Sequence, residues 1–321
     1  MPASLYQSPA REQPSPVGEI LALTYTVTML TIFQAIVLGL MQGISELFPV
    51  SSLGHSVIVP GVLGWKLDQN ADGFLAFLVA THFATALVLL WIYRRDWRLI
   101  IKGIFRSLRA REIGSSDAYA KLGWLIIVAT IPAGIAGVLF EDKLKTLFVS
   151  PLLAAAFLIA NGLLLFGSEL FMKKRGDALK KAADSDGSTD GRIARLSWGD
   201  AVKTGCMQML ALVPGLSRTG SAMAGSLLAG LSREDALRFS FLLATPIIGA
   251  AALLKLPELA ASGDAGAIHA ALAGALAAAA AAYLSARFLA RYFKSRTLMP
   301  FALYCVIAGA LSLAVLLLRA A

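Results

Sequence analysis

The chain has 321 residues, 57% hydrophobic and only 15% charged, and carries a net charge of +9. Ordinary soluble domains carry roughly 25% charged residues, so this balance and a mean hydropathy of +0.71 exclude a soluble globular protein and indicate a polytopic membrane protein. The basic residues lie in loops between apolar runs rather than on one element, which argues against nucleic-acid binding and marks topology instead.

Residues 1–30 read as an N-terminal extension: the first 18 are polar and rich in Pro and Ser, with no signal-peptide pattern, and 19–30 are ambiguous. Apolar runs near the length of about 20 residues that spans a bilayer follow near 73–93, 120–140, 151–171, 236–256, 266–286 and 300–318. Six complete transmembrane helices are expected. Within the fifth, the run Ala277 to Ala282 suits close helix packing rather than disorder. The Lys- and Arg-rich loops 94–121, 172–198 and 287–299 are expected on the cytoplasmic side, and the short EDKLKTLFVS loop opposite. Cys206 and Cys305, the only cysteines, sit in apolar surroundings and form neither a disulfide framework nor a metal cluster.

Ahead of the first span lies QGISELFPVSSLGH, Gln42 to His55, where polar and ionisable side chains interrupt sequence suited to hydrocarbon. Such groups at membrane depth are costly and mark function. Gln42 and Glu46, four residues apart, share a helix face, and Pro49 breaks that helix. Ser51 and Ser52 can cap a new helix, Gly54 permits close backbone approach, and His55 follows Ser52 by three. A broken helical hairpin is expected.

A shift of 166 residues lays Met41, Gln42, Ser51 and Gly54 over Met207, Gln208, Ser217 and Gly220 of CMQMLALVPGLSRTGSAMAG, and the residues around Thr81 over those around Thr245 at nearly the same offset. The chain thus reads as two repeats, 31–171 and 199–321, joined by a cytoplasmic linker at 172–198, each with one re-entrant hairpin and three spans. Three crossings per half is odd, so the expected architecture is all-α with an inverted-topology repeat, whose site forms near the midplane where the halves meet. That brings Glu46, Ser52 and His55 toward Ser217 and Arg218.

In PGLSRTG, Pro214 and Gly215 break a helix while Ser217 and Thr219 can cap the next, and the Arg218 guanidinium adds bidentate charge suited to phosphate. Arg218 would also suit an interfacial snorkelling residue or a partner for Glu46. Two such helix starts, with Ser51, Gly54, Ser217, Thr219 and Gly220, could hold a diphosphate. Glu46 is a candidate ligand for Mg²⁺ or Ca²⁺, or equally a base. For Ser52 and His55, hydroxyl attack assisted by imidazole and direct imidazole attack both stay open. Gln42 and Gln208 suit hydrogen bonds to the broken backbone before substrate contact. His82 and His269 stand without comparable neighbours in sequence.

The pair GLMQGISELFPVSSLGH and PGLSRTG resembles the bacitracin-resistance type of undecaprenyl-diphosphate phosphatase, in which an acid or Gln precedes a Glu by four and leads into P-V-S-S-x-G-H, with P-G-x-S-R-S-x-x-T further on. The likeness runs from about Thr31 to the C-terminus. It implies a dimeric inner-membrane enzyme that hydrolyses a C55 lipid diphosphate to the monophosphate carrier for cell-wall synthesis, with the essential Glu, Ser, His and Arg at Glu46, Ser52, His55 and Arg218. Departures are Gln42 in place of the acid, Thr219 in place of Ser and Ala222 in place of the final Thr. An inverted repeat with anion-binding hairpins also suits a lipid-phosphate flippase or small-anion transporter.

Overall fold

A computed structural model describes residues 30–65, 67, 72–140, 150–174, 189–261 and 265–320. The expectations for most of the N-terminal extension, for the short loop after the second span and for the middle of the linker therefore lie outside the described residues. Every regular element among the described residues is helical.

The first helix, α1 (Ile32–Ser45), starts at a capping box in which Thr31 and Gln34 satisfy each other's backbone N–H groups, and it ends at Glu46. A tight turn through Pro49 leads to α2 (Ser52–Leu63), which Gly64 stops at φ 70°. The same device recurs in the second half. α8 (Trp198–Met209) opens on a Ser197–Asp200 capping box, passes through a single 3-10 turn and a break at Pro214 and Gly215, and is followed by α9 (Arg218–Leu228), capped by Ser217. Both boxes and both break caps keep the 166-residue offset seen between the motifs.

Between and after these pairs lie α3 (Asp72–Ile92), α4 (Arg94–Ala110), α5 (Ala118–Leu139), α6 (Pro151–Lys174), the short α7 (Thr189–Ala194), α10 (Arg233–Ala261), α11 (Ala265–Tyr292) and α12 (Met299–Ala320). Six of them, α3, α5, α6, α10, α11 and α12, are long and apolar enough to cross a membrane, and they coincide with the six expected spans. α4 is an addition: the stretch 94–110, read as a basic loop, is a regular helix.

Small residues set the packing around the broken pairs. Gly39 and Gly43 of α1 lie directly on Gly274 and Ala278 of α11, and Gly205 of α8 lies in the same way on Ala129 of α5. Ala278 and Ala282 are fully buried, so the alanine run is a contact surface, where any larger side chain would separate the helices. Packing is paired throughout: α1 on α11 matches α8 on α5, and α3 on α11 matches α10 on α5. Two further contacts, α3 on α10 and α6 on α12, join corresponding helices of the two halves. The two chain breaks therefore meet in the middle of the bundle.

Candidate active site

The breaks touch directly. Gly54 faces Gly215 so closely that a Cβ on Gly54 would lie 2.8 Å from the Gly215 Cα. Thr219 Oγ1 donates to the Glu46 carbonyl at 2.9 Å, tying the start of α9 to the end of α1. Asn161 of α6, fully buried, bridges both turns: its Nδ2 donates to the Pro49 carbonyl at 2.9 Å and its Oδ1 accepts the Ser217 N–H at 2.9 Å. Broken helices leave orphan backbone groups, and here one amide side chain satisfies an acceptor in one break and a donor in the other.

Glu46 sits at the centre, 6% exposed. Its Oε1 accepts from Arg218 Nη2 at 2.8 Å and Nε at 3.2 Å. Its Oε2 accepts a short bond from Ser52 Oγ and lies 3.1 Å from His82 Nε2. His82 Nδ1 is 2.7 Å from the Leu78 carbonyl, so Nδ1 carries a proton and Nε2 is the nitrogen turned to the carboxylate and, at 3.4 Å, to Ser52 Oγ. A buried carboxylate is tolerable when paired and fully hydrogen-bonded, and this one has a guanidinium on one oxygen and a hydroxyl with an imidazole on the other.

Ser52 owes its aim to Ser51, one of two non-glycine residues with positive φ among the described residues, at φ 69° and ψ 99°. Such a conformation costs about 1–3 kcal/mol and persists only if its surroundings enforce it. Ser51 Oγ accepts the Gly54 N–H at 3.2 Å, while its carbonyl accepts the His55 N–H at 3.2 Å and lies 2.6 Å from His55 Nδ1. His55 Nε2 lies 2.7 Å from the Tyr304 hydroxyl of α12, with the two rings stacked. The structure thus brings Glu46, Ser52 and Arg218 together and turns His55 away from them, into the support of the turn.

The remaining candidates divide. Ser51, Ser217 and Gln208 line a cavity of about 440 Å³ together with Glu46, Ser52, His82 and Arg218. Gln42 is buried behind it, its Oε1 accepting from Thr85 at 3.1 Å, and Thr219 and Gly54 serve the contact between breaks. Gly220 donates its N–H to the capping Ser217 Oγ at 3.1 Å. His82 and Asn161 were not singled out by sequence reasoning, although an ionisable group in the middle of an apolar span is itself a signal. Away from its polar end the cavity is walled by apolar side chains, among them Phe74, Leu75, Leu78 and Ile248.

The family model for the bacitracin resistance protein BacA matches residues 35–311. The chain belongs to the BacA family. Among its relatives, the undecaprenyl-diphosphatase of Mycolicibacterium paratuberculosis is 45% identical over 303 residues, covering 90% of this chain and 99% of that protein. Undecaprenyl-diphosphatase 2 of Chromobacterium violaceum is 41% identical over 284 residues, covering 87% and 97%, and the undecaprenyl-diphosphatase of Granulibacter bethesdensis is 42% identical, covering 86% and 94%. The BacA match takes in most of α1 and all of α2, α8 and α9, and therefore every residue of the cavity's polar end.

Among the described residues no group of three or more His, Cys, Asp and Glu side chains is arranged to hold a metal. Among the described residues Glu46 is the one carboxylate lining the cavity, and both its oxygens already accept from protein donors. The donor set fits a hard cation only in the manner of Mg²⁺, which takes most of its ligands from phosphate oxygens and water with one carboxylate from protein.

Proposed function

We propose that this protein is a membrane lipid-diphosphate phosphatase that hydrolyses undecaprenyl diphosphate to undecaprenyl phosphate and phosphate, recycling the carrier for cell-wall synthesis. The observation that carries this is the Glu46 carboxylate, held between the Arg218 guanidinium and the Ser52 and His82 side chains at the polar end of an otherwise apolar cavity. A diphosphate with a long prenyl tail needs that combination of anion-binding head and apolar wall.

In this mechanism Arg218 binds the diphosphate. Three of its five N–H donors are engaged by Glu46 and the Ser240 carbonyl, which leaves two for phosphate oxygens. Ser52 Oγ attacks the terminal phosphorus as its proton passes to Glu46 Oε2, the oxygen it already faces. The Oγ–P bond forms, the bridging P–O bond breaks, and undecaprenyl phosphate departs as an anion stabilised by Arg218. Water then attacks the phosphoserine and yields a proton to His82, the Oγ–P bond breaks as Glu46 returns its proton to Ser52 Oγ, and the proton on His82 leaves with the released phosphate. A Mg²⁺ or Ca²⁺ ion bound with the diphosphate would neutralise phosphate charge, with Glu46 as the residue to hold it.

The paired packing of the two halves and their matching caps support an inverted repeat with two re-entrant hairpins, in an inner-membrane protein whose basic loops face the cytoplasm. A homodimer belongs to the same proposal. Phosphate release from C55 diphosphate by the purified protein, with and without chelator, is the test. Stoichiometric release of phosphate and lipid monophosphate is expected, whereas binding without any release would leave a transporter.

A further inference from the structure

The helix α4 has three faces, and only one of them is buried in the fold. Ile100, Gly103 and Ser107 form the buried face: Gly103 rests on the backbone of Tyr119 and Ala120, and Ser107 Oγ accepts from Trp124 Nε1 at 2.9 Å. Ile101, Phe105 and Leu108, spaced four and three residues apart, make an outward apolar ridge, with Phe105 68% exposed. Beside that ridge run Arg95, Arg98, Lys102, Arg106 and Arg109, all exposed.

Position fixes the orientation. A single residue, Tyr93, separates α4 from α3, and α4 crosses the first turns of α5 and sends Asp96 to Arg238 near the start of α10 at 3.0 Å. It therefore lies along the ends of three spans, at the level of the bilayer surface, with its apolar ridge toward the acyl chains and its basic face toward the headgroups. That is the pattern of an interfacial amphipathic helix.

Charge decides the partner. Arg106 is paired with Asp117, but Arg95, Lys102 and Arg109 face no carboxylate within ion-pair distance among the described residues. At the C-terminal end of α4, Arg111 enters a cavity of about 800 Å³ that also takes in Lys121, Arg195 and Trp198, with the Lys121 ammonium 3.4 Å over the indole ring. Glu112 and Asp117 are the carboxylates on that cavity, and Asp117 is occupied by Arg106. A basic pocket beside an interfacial Trp suits a phosphodiester headgroup.

We propose that α4 and the Arg111–Lys121 pocket form a binding site for anionic phospholipid of the leaflet at this end of the protein, separate from the phosphatase cavity. Each surface basic residue strengthens attraction to an anionic lipid roughly fivefold, so the triple variant Arg95→Gln, Lys102→Gln, Arg109→Gln should weaken it on the order of 100-fold. Arg111→Gln should weaken it less.

The test is native mass spectrometry of the full chain released from detergent with phosphatidylglycerol and phosphatidylcholine in equal amounts. Wild type should retain phosphatidylglycerol preferentially, the triple variant should lose that preference while keeping its hydrolytic activity in detergent, and excess inorganic phosphate should leave the bound lipid in place. Equal retention of the two lipids by wild type, or a preference that survives the triple change, would overturn the proposal. Displacement of the lipid by inorganic phosphate would overturn it too, by showing a phosphate site instead.

Discussion

Arg218 spends two donors on a single oxygen of Glu46, Nη2 at 2.8 Å and Nε at 3.2 Å, and so leaves the other oxygen to Ser52 and His82. In the proposed mechanism one carboxylate thereby couples the group that binds anion to the groups that handle the proton. Breaking the coupling should separate binding from turnover. In Glu46→Gln the amide keeps the volume but can no longer take a proton, and Arg218 loses its counter-ion. We expect kcat to fall at least about 100-fold, a barrier increase of roughly 2.7 kcal/mol, with KM unchanged or lower because the freed guanidinium binds diphosphate more strongly. Arg218→Lys should instead raise KM and lower kcat together, since an ammonium cannot hold two phosphate oxygens as a fork. Steady-state kinetics of both variants is the check, and a Glu46→Gln enzyme with normal kcat would remove Glu46 from the chemistry.

His82 faces the same oxygen of Glu46 from a different helix, with its other nitrogen fixed by the Leu78 carbonyl. His82→Gln preserves a donor toward Glu46 but cannot shuttle a proton. Loss of a positioned acid–base group costs typically 10² to 10⁴ in rate, and we expect at least the lower figure, with the imidazole's limb missing from the pH–rate profile. A merely structural histidine would lower thermal stability and leave the shape of that profile intact.

Ser52 and His55 can be told apart by the chemistry of a trapped intermediate. Phosphoserine survives acid, and phosphohistidine hydrolyses in it. With His55 engaged by the Ser51 carbonyl and the Tyr304 hydroxyl, the covalent adduct formed on rapid acid quench should be acid-stable and absent from Ser52→Ala. His55→Phe should still form it, more slowly, and Tyr304→Phe should cause a smaller loss of the same kind. An acid-labile adduct missing from His55→Phe would reverse the roles.

Much of this site was legible because its residues break a strong pattern. Glu46, Ser52 and Arg218 are polar groups beside helix breakers in otherwise apolar sequence, and the 166-residue offset between the two breaks said which would meet. His82 and Asn161 carry no such local mark. Each is a single polar residue inside an ordinary span, and its partners arrive from other helices: Glu46 and Ser52 for one, Pro49 and Ser217 for the other. His55 was grouped with Ser52 by spacing, but a three-residue step along a helix does not fix which way two side chains point. Its stronger partners lie at Ser51 and on α12. For α4, the density of arginine was read as topology alone, although the buried positions at 100, 103 and 107 keep helical spacing.

Gln42 stands where the family pattern also allows an acid, and here its Oε1 accepts from Thr85 while its Nε2 has no partner among the described residues. If a second carboxylate at this position strengthens cation binding near Glu46, Gln42→Glu should lower the Mg²⁺ or Ca²⁺ concentration for half-maximal activity. The measurement is a metal titration of phosphate release. An unchanged midpoint would assign Gln42 to the support of α1 alone.

Asn161 provides the sharpest test that the two breaks act as one unit. Its amide supplies a donor to Pro49 and an acceptor to Ser217, both buried, so Asn161→Ala leaves the carbonyl in one break only the long Cys305 Sγ contact at 3.9 Å and strands an N–H in the other. A stranded group costs about 1–3 kcal/mol, and the two losses together should lower the melting temperature in detergent measurably. Asn161→Asp separates the halves of the bridge: it can still accept from Ser217 but cannot donate to Pro49 when ionised, and it adds a buried charge beside Cys305. Because Pro49 precedes the strained Ser51 and Ser217 precedes Arg218, both variants should also slow turnover, beyond what the lost stability explains at a temperature where the fold is intact. Turnover that stays normal in folded Asn161→Ala would mean that Glu46, Ser52 and Arg218 hold their geometry without the bridge.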